Sequence, residues 1–238
     1  MKKSFLLVVS VILCLSLLGC GESKTKNDEI IQETTVSTTE VAYEFTNPAV
    51  EPCDNVNLMR YTMTLDSFTA KYNEIMNDLG GTEFLNPSRW KKTGDTEKDT
   101  KGVEFNYYYY NAANLNFTAS VEKESKKIIN IGCGTAMSVF ISQDASDSDN
   151  IVLNKSAIMA AAICGYSADK TELLADIFRT ITFEQIDSLW YEGNIFTLST
   201  DEDKENSDNN IMLFRVFPTT NSQRTAWNIK DYKTYKLK

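Results

Sequence analysis

The residues from Val103 to Cys133 are written in period two. Val103, Phe105, Tyr107 and Tyr109 share one side of a run that ends at Asn111. Leu115, Phe117, Ala119 and Val121 alternate with Asn116, Thr118, Ser120 and Glu122. Ile129, Ile131 and Cys133 share one side of a third run. Successive side chains of a strand point to opposite faces, so the pattern predicts three half-buried strands. The links between them, Asn111-Ala112-Ala113-Asn114 and the charged run Glu122 to Lys127, are short. Links of that length join antiparallel neighbours. This part of the chain therefore reads as a β-meander that needs a partner to cover its apolar face.

The partner precedes it. Leu65, Phe68, Tyr72, Ile75, Met76 and Leu79 form one apolar stripe at helical spacing. Thr64 stands where an N-cap belongs, Asp66 suits the positive helix start, and Gly80-Gly81 supplies the stop. Residues 82–102 read as irregular, with Asn86-Pro87 and Thr93-Gly94-Asp95 as turn signals.

The same order then recurs about 80 residues later. Ser156 to Cys164 reads as a small-residue helix stopped by Gly165. Ser167 caps a second helix carrying Leu173, Leu174, Ile177, Phe178 and Ile181. Leu189-Trp190-Tyr191, a turn at Glu192-Gly193-Asn194, Ile195 to Thr200, an acidic turn and Ile211 to Phe217 follow. Tyr108-Tyr109-Tyr110 and its turn parallel Leu189-Trp190-Tyr191 and its turn. The expectation is an α+β fold of two similar helix-plus-antiparallel-meander units, 48–142 and 143–238, with helices on one face of the sheet.

The N-terminus is an address. Lys2-Lys3 precedes an apolar run from Phe5 to Leu18, shorter than the roughly 20 residues a membrane-spanning helix needs. The run ends in Leu17-Leu18-Gly19-Cys20. These residues resemble the lipobox of bacterial lipoprotein precursors. The resemblance implies a signal peptide over 1–19, lipidation of Cys20 and a palmitate-type anchor on the extracytoplasmic face of the cell membrane. Two acyl chains make such an anchor stable. Residues 20–47 are polar and Thr-rich and read as a flexible tether reaching roughly 30 Å. The element order over 55–217 is similar to the β-lactamase-inhibitor-protein-like fold, in which tandem units pack helices on one face of an antiparallel sheet. Several small envelope lipoproteins look like that. This resemblance carries no motif and transfers no functional residue.

Composition excludes more than it assigns. The chain has no histidine, which removes Ser-His-Asp triads, Cys-His pairs and imidazole metal sites. Formal charge is -9, and Lys2 and Lys3 belong to the leader, so the rest carries -11. That charge repels phosphate backbones, so no nucleic acid is expected as partner. Asp144, Asp147 and Asp149, and Asp201, Glu202, Asp203 and Glu205, have the composition of calcium loops. Their spacing fails, since Asn206 and Met212 stand where Gly and Glu belong. No metal or cofactor is expected.

Three features remain as candidate sites. Asn106, Tyr108 and Tyr110 face outward if Phe105, Tyr107 and Tyr109 face the core, and Trp190 holds the parallel place in the second unit. Tyr108, Tyr110 and Trp190 then form a binding platform, unless the rest of the chain covers them. Cys53, Cys133 and Cys164 form either one disulfide, Cys53–Cys133 or Cys133–Cys164, or three buried thiols. The tail after Pro218 is net +4 and either touches anionic polymer or lipid, or packs on the acidic body through Tyr232, Tyr235 and Leu237. The functional expectation is a membrane-anchored, non-enzymatic module that binds an envelope polymer or protein. A carboxylate enzyme acting on wall glycans and an inhibitor- or chaperone-like lipoprotein are the alternatives.

Overall fold

The structure is a computed structural model that describes residues 48–53, 58–112, 115–136, 150–201 and 211–237. Cys20, the tether and most of both acidic runs lie outside the described residues. A hairpin opens the fold, β1 (Val50–Pro52) and β2 (Met59–Tyr61). Helix α1 (Leu65–Asp78) leads to a 3-10 turn (Pro87–Arg89) and the strands β3 (Lys91–Lys98), β4 (Glu104–Ala112), β5 (Leu115–Glu122) and β6 (Ile128–Ala136). Helix α2 (Ile151–Ile163), a 3-10 turn (Ala168–Lys170) and α3 (Thr171–Phe183) follow. Then come β7 (Ser188–Tyr191), β8 (Asn194–Asp201), β9 (Ile211–Pro218), α4 (Asn221–Ala226), β10 (Lys230–Asp231) and α5 (Tyr232–Tyr235). The fold is α+β.

One eight-stranded sheet runs in the order β10-β7-β8-β9-β6-β5-β4-β3. The two meanders meet through β6 and β9, paired antiparallel from Ile131↔Val216 to Ala136↔Ile211. The halves therefore match strand for strand outward from that joint, β6 with β9, β5 with β8, β4 with β7. They differ at the margins. On one side β3 precedes its meander and pairs antiparallel with β4. On the other, β10 follows its meander and pairs parallel with β7. The two units share one sheet and one hydrophobic core, so they are halves of a single body. The joint needs small residues. A Cβ on Gly134 would lie 2.3 Å from the Met212 carbonyl oxygen and 2.9 Å from Leu213 Cδ1.

The helices form one layer. In α1 the Thr64 hydroxyl accepts from Ser67 N while Ser67 Oγ accepts from Thr64 N at 2.9 Å, a reciprocal cap. Its stripe Phe68, Tyr72, Ile75 and Met76 is buried, and Gly80 ends it at φ +70°. Helix α2 starts at Ile151, earlier than the sequence reading, because Asn150 caps it by accepting from Val152 N and Leu153 N. It is apolar almost all round and lies between α1 and α3, with its alanines allowing close approach. Ser167 opens the 3-10 turn rather than α3, which begins at Thr171. Phe178 of α3 packs edge-on against Phe196 and Phe214 of the sheet at 5.5 and 5.0 Å.

Strand β3 falls where the sequence reads as irregular. All eight of its residues are exposed, so its side chains leave no apolar period. It is held by its ladder to β4 and by polar side-chain bonds to the same strand, and a register shift between Thr93 and Glu97 interrupts the ladder. A charged, bulged edge resists pairing with other chains. The tail packs on the acidic body. Tyr232 is buried and Tyr235 half-buried, but Leu237 lies past the last turn of α5 and is 88% exposed, so it anchors nothing.

The hairpin is latched by charge. Arg60, 6% exposed, donates to Glu51 at 2.6 Å and to Glu122 at 2.5 Å, and Lys127 pairs with Glu51 at 2.7 Å. Burial alone would raise the Glu51 carboxyl. The hydrogen bonds and charges of Lys127 and Arg60 outweigh it and hold Glu51 below its ordinary 4.5. A carboxyl depressed in the fold binds protons more readily once unfolded, so its contribution is full above the unfolded value and is lost as pH falls through the folded one. Urea midpoints should therefore decline from pH 4.5 downward, and Glu51→Gln should flatten that decline. Phe178→Ala should cost about 3–5 kcal/mol in the same denaturation experiment.

Candidate functional site

The run of four tyrosines, Tyr107 to Tyr110, offers an apolar ring to both faces of β4. Only register decides which face is which. Asn106 pairs with Val121, Tyr108 with Ala119 and Tyr110 with Phe117, and all three partners belong to the core. Asn106, Tyr108 and Tyr110 therefore face the helices. Tyr110 is 1% exposed, its ring meets Trp90 and Phe117 edge-on, and its oxygen accepts from Asn86 N at 3.0 Å. Tyr108 packs against the core. The outward placing of Tyr108 and Tyr110 is thus corrected. The polar Asn106 sits inside because its amide oxygen accepts from the Thr96 hydroxyl at 2.8 Å.

The aromatic platform is the other half of the strand. Phe105, Tyr107 and Tyr109 are half-buried on the face opposite α1, α2 and α3. Phe105 and Tyr107 stack edge-on at 5.2 Å. Tyr107 stands opposite Ser120, and Ser120 opposite Asn130, which donates to it at 3.0 Å. Burial first, and then the Glu97 carboxylate that meets its hydroxyl, push the Tyr107 phenol up, while Arg215 pulls it down. So the Tyr107 hydroxyl meets an acid of β3 and feels the charge of a base on β9.

At the far side of the same face stands Trp190, half-buried, opposite Ile195, which in turn stands opposite Phe217. Arg224 of α4 lies over the Trp190 ring at 4.9 Å. Strands β4 and β7 are five strand spacings apart, about 24 Å. Between the two aromatic banks β5 and β6 present Thr118, Ser120, Asn130, Gly132 and Gly134, with Leu213 Cδ1 folded over both glycines. The face is therefore two aromatic banks with a low, small-residue middle crossed by Arg215. Sequence reading missed Phe217, Arg215 and Arg224. The first two were legible in the alternation of Ile211–Pro218. Arg224 carried no signal, because it reaches the face from a helix outside the sheet.

The three cysteines are buried thiols. Cys133 faces Ser156 of α2, and burial pushes its thiol up to about 12 against the pull of Ser156 and Lys155. Cys164 caps the C-terminus of α2, eight residues further along the helix, and burial pushes it up as well. Eight residues of helix span roughly 12 Å, beyond the reach of a disulfide. That disposes of the Cys133–Cys164 bridge, and thiols held protonated are poor nucleophiles. Cys53 lies in the hairpin, its amide bonded to the Leu58 carbonyl at 2.7 Å. The carboxylates of Glu51 and Glu122 share Arg60, and a general acid would need the opposite shift from the one Glu51 shows. Among the described residues no group of three or more Cys, Asp and Glu is placed to hold a metal ion.

The arrangement can grip a ligand with rigid rings and a guanidinium, the side chains that most often anchor an interface. It offers this on a face, since both sheet edges are obstructed, one by the charged bulge of β3 and one by β10. Tyr110→Ala should cost about 3 kcal/mol or more, while Tyr107→Ala and Tyr109→Ala should each cost about 1 kcal/mol or less. Urea denaturation of the three variants checks this, and equal losses would contradict the register. Comparison of the chain with known protein families, with curated proteins and with solved structures finds no match.

Proposed function

We propose that the chain is a lipid-anchored extracytoplasmic lipoprotein whose folded part is a non-enzymatic binding module for an envelope polymer or protein. Leu17-Leu18-Gly19-Cys20 supports the anchor and places the acyl group on Cys20. The polar stretch 20–47 supports a tether that lets the domain work clear of the lipid surface. Among the described residues no helix is long and apolar enough to cross a membrane.

The observation that carries the binding role is the alternation of β4 and β7. It puts Phe105, Tyr107, Tyr109 and Trp190 on the face opposite the three long helices, with Arg215 between them and Arg224 of α4 laid over Trp190. Rings held by a sheet lose little freedom on binding, so their contact area converts to affinity with a small entropic cost. Nothing in the face requires chemistry of its ligand. It asks for flat or apolar surface against the half-buried rings and hydrogen-bonding groups against Thr118 and Asn130.

Two experiments test the two parts. Cells expressing the chain and fed an alkynyl fatty acid should label it, and Cys20→Ser should abolish the label and release the protein from membranes. A soluble Asn47–Lys238 fragment should co-sediment saturably with purified cell-wall sacculi or retain a single envelope protein. Tyr107→Ala with Tyr109→Ala should weaken that binding at least about tenfold while the fold melts normally. Retention of neither ligand, or full binding by the double variant, would remove the face from the account.

A further inference from the structure

The C-terminal segment touches the body in an unusual way. Its strand β10 is two residues long and pairs parallel with Leu189 and Trp190 at the outer edge of β7. The next helix is a single turn capped by Asp231, which accepts from Thr234 N at 3.0 Å. Of the residues in this segment only Tyr232 is buried. Its ring meets Tyr191 edge-on at 6.0 Å and its hydroxyl donates to Asp176 of α3. Tyr235 is half-buried against the rim of the core, and the rest is charge and aromatic contact at the surface. Lys236 pairs with Asp176 at 3.0 Å, and Lys233 pairs with Glu192 at 2.8 Å while lying 5.1 Å over the Tyr191 ring. Tyr235 donates to Glu184.

The seat under this segment is built from other elements. Asp176 comes from α3 and Glu184 from its C-cap, Tyr191 and Glu192 from β7 and its turn, and Tyr166, from the link between α2 and α3, donates to Glu192 at 3.1 Å. Arg179 approaches Asp176 at 3.7 Å. The seat is therefore three carboxylates and two rings beside the edge of a strand. The occupant offers rings at 232 and 235 and lysines at 233 and 236: Lys233 meets Glu192, Lys236 and Tyr232 meet Asp176, Tyr235 meets Glu184, and the Tyr232 ring meets Tyr191. Exposed ion pairs are weak and screened by salt, so one buried ring holds most of the segment down. Just before it the chain turns at Asn228, at φ +53°, beside the exposed Trp227.

We propose that Lys230–Lys236 is a displaceable strap occupying in cis a docking site for a short peptide of a partner protein, one that pairs two residues with the β7 edge and then makes a helical turn carrying aromatic and basic residues at the same spacing of three. The partner would add to the β7 edge by backbone pairing and place its rings and lysines on Tyr191, Asp176, Glu184 and Glu192. This surface adjoins the Trp190 end of the opposite face, since β10 pairs with Trp190 itself, but its carboxylates and the Tyr191 ring are not used there, and the inference stands without the function proposed above.

The probe is a labelled synthetic peptide spanning residues 230–236, titrated into the full chain. Wild type should bind it weakly, because the strap competes. The Tyr232→Ala variant should bind at least about tenfold tighter, with affinity falling as salt rises. Adding Asp176→Asn and Glu192→Gln to that variant should abolish binding. In the wild-type chain, amides of the strap should exchange at least about a hundredfold faster than those of β8 and β9, and faster still at high salt. A Tyr232→Ala chain that melts normally and binds no peptide overturns the proposal. So does strap exchange at the rate of β8 and β9, which also decides the matter should the variant fail to fold. A wild-type dimer with straps exchanged would assign the seat to a second copy and overturn the partner-peptide reading.

Discussion

The ladder between β6 and β9 is the joint on which the structure depends. Each meander alone has a single apolar face and an open edge on its third strand. Pairing those edges from Ile131↔Val216 to Ala136↔Ile211 closes both at once. It also makes one continuous floor wide enough for α1, α2 and α3 to lie side by side. Phe117, Ile131, Phe214 and Phe196 then form one core where two units would have had two smaller ones. A larger core leaves a smaller fraction of apolar surface in water, which a unit of some ninety residues needs. The close approach has a local cost, because Gly134 is confined to a residue without a side chain and Gly132 is tightly approached.

All three long helices are spent on one face. The opposite face therefore has to be stable in contact with its own side chains. It manages by making them large and cross-linked, Tyr107 against Glu97, Trp190 beneath Arg224, Leu213 folded over the glycines of β6. The same features that let the face stand without a cover give it the rings and guanidinium groups of an interface. Charge is handled at the margins. Arg60 with Glu51 and Glu122 latches the hairpin at one end, and Asp176, Glu184 and Glu192 receive the basic tail at the edge. Acids that would repel one another on a chain this acidic are thereby each given a base or a phenol.

Legibility followed the strength of the local signal. Helix α1 was readable to its cap, because Thr64, Asp66 and Gly80 each answer a separate demand of a helix end. Strand β5 was readable because Leu115 to Val121 mixes apolar and polar residues strictly. Strand β3 was invisible, since Lys91–Lys98 buries nothing and a ladder of backbone bonds leaves no mark on side-chain identity. The candidate site was legible as a composition and illegible as a surface. Four consecutive tyrosines fit either face equally well, and the one polar residue nearby, Asn106, points the wrong way because Thr96 satisfies it inside.

The sequence by itself determined the types of the three long helices and of the meander strands, their recurrence in two halves, the lipobox-like end of the apolar leader and the exclusion of imidazole chemistry. These are local properties, set by period, capping and residue type. Only the tertiary structure decided that the halves share one sheet, which tyrosines of β4 face the helices, that Cys133 and Cys164 stand too far apart to bridge, and that Tyr232 rather than Leu237 holds the tail. Each of these depends on pairing between residues distant in the chain. A shift of one residue in such a ladder reverses every side chain while leaving the local pattern intact.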